Sequence, residues 1–211
     1  MVEARIASLH DVPASTKGCA VAAATAVARP HNDAVTRLDD LMPDFEYGNR
    51  HAIVVEAPAA SVATAVDTYR VDSSVLVRLL FRLRGLRAPA GTLQSLLTGA
   101  RFTVLAEVPG REVVLGVAGR FWAWDEAAAM IRVPDARAFV EFNEPGTAKA
   151  AVNLLCEPVG AMATRVSTET RVKCVDAAAR WRFAPYWALI KPFSAYIRRD
   201  MLRGIRRHAL E

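Results

Sequence analysis

From Phe45 onward the apolar residues fall into short runs whose period changes several times, and those changes predict an order of elements. Ile53-Val54-Val55 is a β-branched run that stops at Pro58, which predicts a strand leading into a helix. Pro58 to Tyr69 carries helix-forming alanines, with Ser61 near the start. Asp72 is placed to cap a second helix, in which Val75, Leu76, Leu79, Leu80 and Leu83 recur at helical spacing until Gly85 stops it. Residues 87–100 make a connector with a short turn of helix. Arg101–Val108 and Glu112–Trp122 flank Pro109-Gly110-Arg111, which predicts a tight hairpin. Pro134–Phe142 predicts a short helix with Phe139 and Phe142 at i, i+3. Thr147–Glu157 and Thr164–Val175 predict two more strands, turned at Pro158-Val159-Gly160, and Asp176 then caps a long helical C-terminus. Hairpins of antiparallel strands with helices segregated to one face make an α+β domain, and neither an internal repeat nor a parallel βαβ rhythm is present.

The C-terminal segment has the sharpest pattern. At about 100° per residue, Phe183, Tyr186, Trp187, Ile190, Phe193, Ile197, Met201, Gly204, Ile205 and His208 share one side, and Arg199, Arg203 and Arg206 point the other way. Pro185 and Pro192 interrupt the backbone hydrogen bonding of this helix without moving the stripe to another face. The stripe is expected to pack on the sheet with the arginines solvated; the alternative is a basic face resting on an anionic surface. Because the aromatic residues are expected on the buried side, apart from the arginines, the pattern argues against a nucleic-acid stacking platform.

Composition sharpens this in three places. All eight phenylalanines, four tryptophans and four tyrosines follow residue 44, and residues 1–44 lack a sustained period, so they are expected to be a mobile or loosely packed extension ahead of a domain at 45–211. The weak alanine-based run after Lys17 reads only marginally as an export signal. The net charge of +5 is concentrated at one end: residues 177–211 hold eight basic residues against Asp200 and Glu211, so they carry +6 and the remainder −1. Cys19, Cys156 and Cys174 are too few and too scattered for a disulfide framework, which points to a reducing, cytoplasmic setting. No apolar run reaches the roughly 20 residues of a membrane-spanning helix.

The phrases FTVLAEVPGREVVLGVAGRFW, FVEFNEPGTAKAAVNLLCEP, RVSTETRV and DAAARWRFAPYWALIKPFSAYIRRDMLRGIRR resemble a bacterial branch of the START/pollen-allergen-like (SRPBCC) superfamily, over about Phe45 to Arg207. That resemblance implies a helix-grip fold, in which a curved antiparallel sheet grips the long C-terminal helix and encloses an apolar cavity. Members of the superfamily bind lipids, sterols, polyketides or similar molecules there, and some act as polyketide cyclases or aromatases. With the cavity side marked by the valines of VSTETRV, strand parity selects Val104, Leu115, Val117, Phe121, Val152, Leu154, Thr168 and Thr170 as its lining, and the helix adds Phe183, Tyr186, Trp187 and Ile190.

Dedicated chemistry is sparse. Gly116-Val117-Ala118-Gly119 lacks both the G-x-G-x-x-G fingerprint and the Gly-Lys-Ser/Thr end of a phosphate loop, so its glycines are expected to bend a strand, with ligand proximity as the alternative. His10, His31, His51 and His208 are isolated, and Cys156 and Cys174 fall far apart on one hairpin, so no metal site is expected. No serine or cysteine nucleophile motif appears. Glu107, Arg120 and Asp125 are expected at a sheet end or on the surface, and Tyr186 is the best acid on the helix. Catalytic residues therefore stay unassigned, and no cofactor is implied. The leading expectation is a non-catalytic binder or carrier of a hydrophobic small molecule. The alternatives are a cyclase- or aromatase-type enzyme in the same cavity, and a membrane-surface module using Arg199, Arg203 and Arg206.

Overall fold

The computed structural model of the protein describes residues 35–70, 102–123 and 129–211. Residues 1–34 of the extension expected at 1–44, the helix after Asp72 and its connector, and Cys19, His10, His31 and Asp125 lie outside the described residues.

The described elements run α1 (Arg37–Leu41), β1 (Tyr47–Val55), α2 (Ala59–Thr68), β2 (Thr103–Val108), β3 (Glu112–Gly119) and β4 (Met130–Ile131). They continue with α3 (Ala136–Glu141), β5 (Ala148–Gly160), β6 (Ala163–Cys174) and α4 (Ala177–Ala209). The strands form one antiparallel sheet in the order β1-β6-β5-β3-β2, with β4 paired to Ala118 and Gly119 at the end of β3. The fold is α+β, and the 33-residue α4 packs against β1 and β6 in the helix-grip arrangement.

Local chemistry explains the ends of these elements. The Asp176 carboxylate accepts from the Ala179 N–H at 2.7 Å, capping α4, and its other oxygen accepts from the Gly146 N–H at 2.6 Å, tying the cap to the turn before β5. Both partners hold the Asp176 carboxyl below its usual range. Pro185 and Pro192 lie inside α4, which continues through both. The β5–β6 turn falls later than Pro158-Val159-Gly160: β5 extends through Gly160 with a register shift there, and Ala161-Met162 makes the turn. Gly110 turns the β2–β3 hairpin at φ +69°.

The two faces of the sheet are covered differently. On the outer face, α1 and α3 bring Leu38, Met42 and Phe139 onto Leu105, Val114, Ala118 and Ala151. Leu38 and Met42, which precede Phe45 in the chain, are both core residues. Gly116 belongs to this outer packing. A Cβ there would collide with the Leu105 and Phe139 side chains, so the glycine serves close packing of Leu105 and Phe139. Gly119, at φ +147°, lets the backbone of Ala129 and Met130 approach. On the inner face, α2 and α4 cover the sheet, and Gly204 of α4 admits the Tyr69 ring where a Cβ would collide with it.

Beneath α1 runs a closed polar network. Arg171, only 1% exposed, donates from Nε to Glu169 (2.6 Å), from Nη2 to Asp39 (2.7 Å) and from Nη1 to the Met42 carbonyl (2.9 Å), and it stacks 4.8 Å from the Phe45 ring. Asn153 donates to Glu112 at 2.9 Å and accepts from the Glu169 N–H at 2.9 Å, while Glu112 also accepts from the Arg37 N–H. Removing a buried charge strands its partners. Arg171→Met is expected to lower stability by about 3–5 kcal/mol, measured as a shift in the urea unfolding midpoint; a midpoint within error of wild type would show that this network does not hold α1.

Candidate functional site

Reading each inner-face strand from one end to the other shows where the interior changes character. β1 passes from Val55 and Ile53 through His51 and Asn49 to Tyr47, and β6 passes from Val166 through Thr168 and Thr170 to Val172. These run in register: Asn49 pairs with Thr170 and His51 with Thr168. The outlying positions belong to two separate apolar clusters. One packs Val55, Val166 and Leu154 against α2 and against Leu202 and Ile205 of α4. The other packs Val172, Cys174 and Ala148 against Ala179 and Phe183, at the start of α4.

The middle band is divided. On β1 and β6 it is polar, with Asn49, His51, Thr168 and Thr170. On β5 and β3 it is apolar, with Val152 opposite Thr170 and Leu115 opposite Val152, followed by Val117. From α4, Arg198 reaches into the polar half and donates from Nη1 to the Thr168 hydroxyl at 2.7 Å, while Thr168 itself donates to the Asn153 carbonyl at 2.7 Å.

Four buried atoms of this band have no hydrogen-bond partner: Asn49 Nδ2, His51 Nε2, Thr170 Oγ1 and Arg198 Nε. Leaving such a group unpaired costs about 1–3 kcal/mol each. No carboxylate pairs with Arg198 among the described residues, and burial pulls its guanidinium down to about 10, still charged at neutral pH. Burial, reinforced by the like charges of Arg199 and Arg198, lowers His51 below the ordinary histidine value and favours the neutral imidazole. The outer face of the same strand satisfies Arg171 completely, so the open set within is local to this band.

The residues singled out in the sequence fall in several separate places. Leu115, Val117, Val152, Thr168 and Thr170 share the middle band, as strand parity predicts. Leu154 lies in the apolar cluster beneath α2, and Val104, opposite Leu115, is 43% exposed. Phe121, Tyr186 and Trp187 gather around Phe183 together with Tyr47 and Trp122, at centroid distances of 4.9–6.2 Å. Ile190 is half-buried farther along α4. Glu107 and Arg120 are exposed.

Asn49, His51 and Arg198 were not selected in the sequence. The residues Gly48-Asn49-Arg50-His51 carry no apolar alternation, although counting back by two from Val55 puts 49 and 51 on the inner face. Arg198 flanks the stripe, and the signal for it is Leu202, one helical turn on and fully buried.

The stripe itself needs correction. Phe193 is 42% exposed, and His208 is exposed, with Nε2 3.0 Å from the Thr68 hydroxyl. Trp181 is 82% exposed, and Leu189 and Tyr196 are exposed with it, so aromatic residues also occupy the solvent side of α4. Cys156 and Cys174 are buried free thiols, opposite Val166 and Ala148, and burial pushes them up to about 11 and about 12. Neither is a nucleophile at neutral pH. Among the described residues no group of three His, Cys, Asp or Glu side chains could hold a metal ion, and no helix is long and apolar enough to cross a membrane.

No protein-family model and no curated protein sequence matches the chain. Among solved structures it is similar to hypothetical protein jhp0584 from Helicobacter pylori, at 10% identity over 86% of this chain and 99% of that one, with a TM-score of 0.38. It is also similar to the di-domain ARO/CYC BexL from the BE-7585A biosynthetic pathway, at 14% identity over 77% of this chain and 46% of that one, with a TM-score of 0.30.

Two threonines one rung apart provide a contrast. Thr170→Val removes an unpaired hydroxyl while keeping the side chain's shape and is expected to raise stability by about 1 kcal/mol. Thr168→Val breaks bonds to Asn153 and Arg198 and is expected to lower it by about 1–3 kcal/mol. Urea unfolding of both variants measures the difference; equal effects would mean that the two hydroxyls are equally satisfied.

Proposed function

We propose that the protein binds or carries a hydrophobic small molecule between the inner face of the sheet and α4. One observation carries this reading: the interior band between the two apolar clusters holds four buried polar atoms without partners, facing an apolar half formed by Leu115, Val117 and Val152. Folded proteins satisfy the large majority of their buried polar atoms, so a set left open on three elements at once supports a site completed by a bound molecule. An apolar body against the valines with a polar group at Arg198 would satisfy both halves together.

The cyclase or aromatase alternative needs an acid or base that touches substrate. His51, neutral and with Nε2 unpartnered, is the group in this band suited to that role, rather than Glu107 or Tyr186. Binding comes first in either case. Native mass spectrometry of protein purified from its own host is expected to show a stoichiometric adduct of a few hundred daltons, lost on denaturation. An adduct-free protein that is not stabilised by any member of a lipid and polyketide panel in thermal shift would refute the reading.

A second reading is supported by the solvent side of α4. Trp181, Leu189, Phe193 and Tyr196 are exposed along its first two-thirds, and Arg199, Arg203, Arg206 and Arg207 follow on the last turns. An aromatic stretch continued by a basic one suits the interface of an anionic bilayer. The protein is then expected to co-sediment with phosphatidylglycerol-containing vesicles at low salt and not with pure phosphatidylcholine vesicles. The combined W181S, R199Q, R203Q and R206Q variant is expected to lose this binding; equal sedimentation with both vesicle types would exclude the idea.

A further inference from the structure

We infer that the bound molecule carries a carboxylate-like oxyanion head, seated on Arg198, Asn49 and His51. This inference rests on the binding function proposed above and specifies the chemistry of its ligand.

The argument is an inventory of donors and acceptors. Arg198 Nε and Asn49 Nδ2 can only donate, Thr170 Oγ1 can donate, and His51 Nε2 donates in one tautomer. Two of the four can only donate, and the other two can donate as well as accept. A group with two oxygens and about four lone-pair sites meets such a set better than an alcohol, with its single oxygen, or a hydrocarbon. The charge agrees. Arg198 brings one positive charge into a buried place where no side chain neutralises it among the described residues, and an unpaired buried charge is among the costliest groups a fold can hold.

Among the described residues, the buried Glu112 and the half-buried Glu169 and Asp39 lie on the opposite face of the sheet, committed to Arg171, Asn153 and the Arg37 N–H. Arg198 is the guanidinium that enters this band, with the exposed Arg199 beside it, and among neutral donors it suits an anionic head. The planar fork of the guanidinium, with Nη1 already on Thr168, leaves its Nε edge for the incoming oxygen. On the other side of the band, Leu115, Val117 and Val152 offer only hydrocarbon, so the head has one place to go and the body another.

Chain-matched pairs test this: octanoate, dodecanoate and hexadecanoate against octanol, dodecanol and hexadecanol, each displacing the neutral dye Nile red from the full-length protein. The carboxylates are expected to bind at least about 10-fold tighter than their alcohols. That ratio is expected to collapse towards 1 in R198Q and to persist in R182Q, an exposed arginine of the same helix. N49A is the milder variant, expected to reduce the ratio about threefold or more even if R198Q folds poorly. Equal binding of acid and alcohol, or selectivity that survives R198Q and N49A, overturns the oxyanion head and leaves the binding function standing. No displacement by any of the six probes overturns both.

Discussion

The middle of strand β6, from Val166 to Val172, is buried on both sides, so its polar side chains depend on partners within the protein. Its two faces meet that constraint in opposite ways. Outward, Glu169 and Arg171 are locked to Asp39, Asn153 and the α1 carbonyls, with the guanidinium using all of its nitrogens. Inward, Thr168 is satisfied, but Thr170 and the residues beside it on β1 and α4 are not. The closed network fixes the backbone of β6, and that rigid backbone holds the open set at fixed spacing. A rigid scaffold carrying unsatisfied groups is how a protein stores the ability to bind.

The division of labour extends across the sheet. Two apolar clusters close the interior at either end, one built on α2 with the second half of α4, the other on the aromatic residues around Phe183. Stability resides mainly in these ends and in the outer face, so the middle band can tolerate polar groups that would be ruinous in a marginal core. The same logic accounts for the glycines of β3. Gly116, between Leu115 and Val117, gives up its side chain to Leu105 and Phe139 on the outer face, the side of the sheet opposite the inner band.

Most of the architecture was legible in the sequence because it rests on local signals: β-branched runs, the Pro-Gly turn and the Asp176 cap. Parity also placed Leu115, Val117, Val152, Thr168 and Thr170 on one face, since the valines of β6 mark its inner side and every strand alternates its side chains with a period of two. What escaped depends on tertiary partners. Leu38 and Met42 lie in a segment without periodicity, and α1 is held by Arg171, more than a hundred residues away. Asn49 and His51 lie in a strand whose first half offers only Tyr47 to mark its faces. Arg198 looks like one more arginine of a basic helix until the buried Leu202 shows which way that row points.

The two prolines of α4 lie on its solvent side. Each deprives the carbonyl four residues earlier, at Trp181 and Ala188, of its helical donor, and on that side water can take the donor's place. The inner side keeps the ladder that holds Phe183 and Leu202 in position. The helix is thus built like a leaf spring with one continuous layer and one notched layer: it can yield along its outer edge without disturbing the residues that anchor it to the sheet.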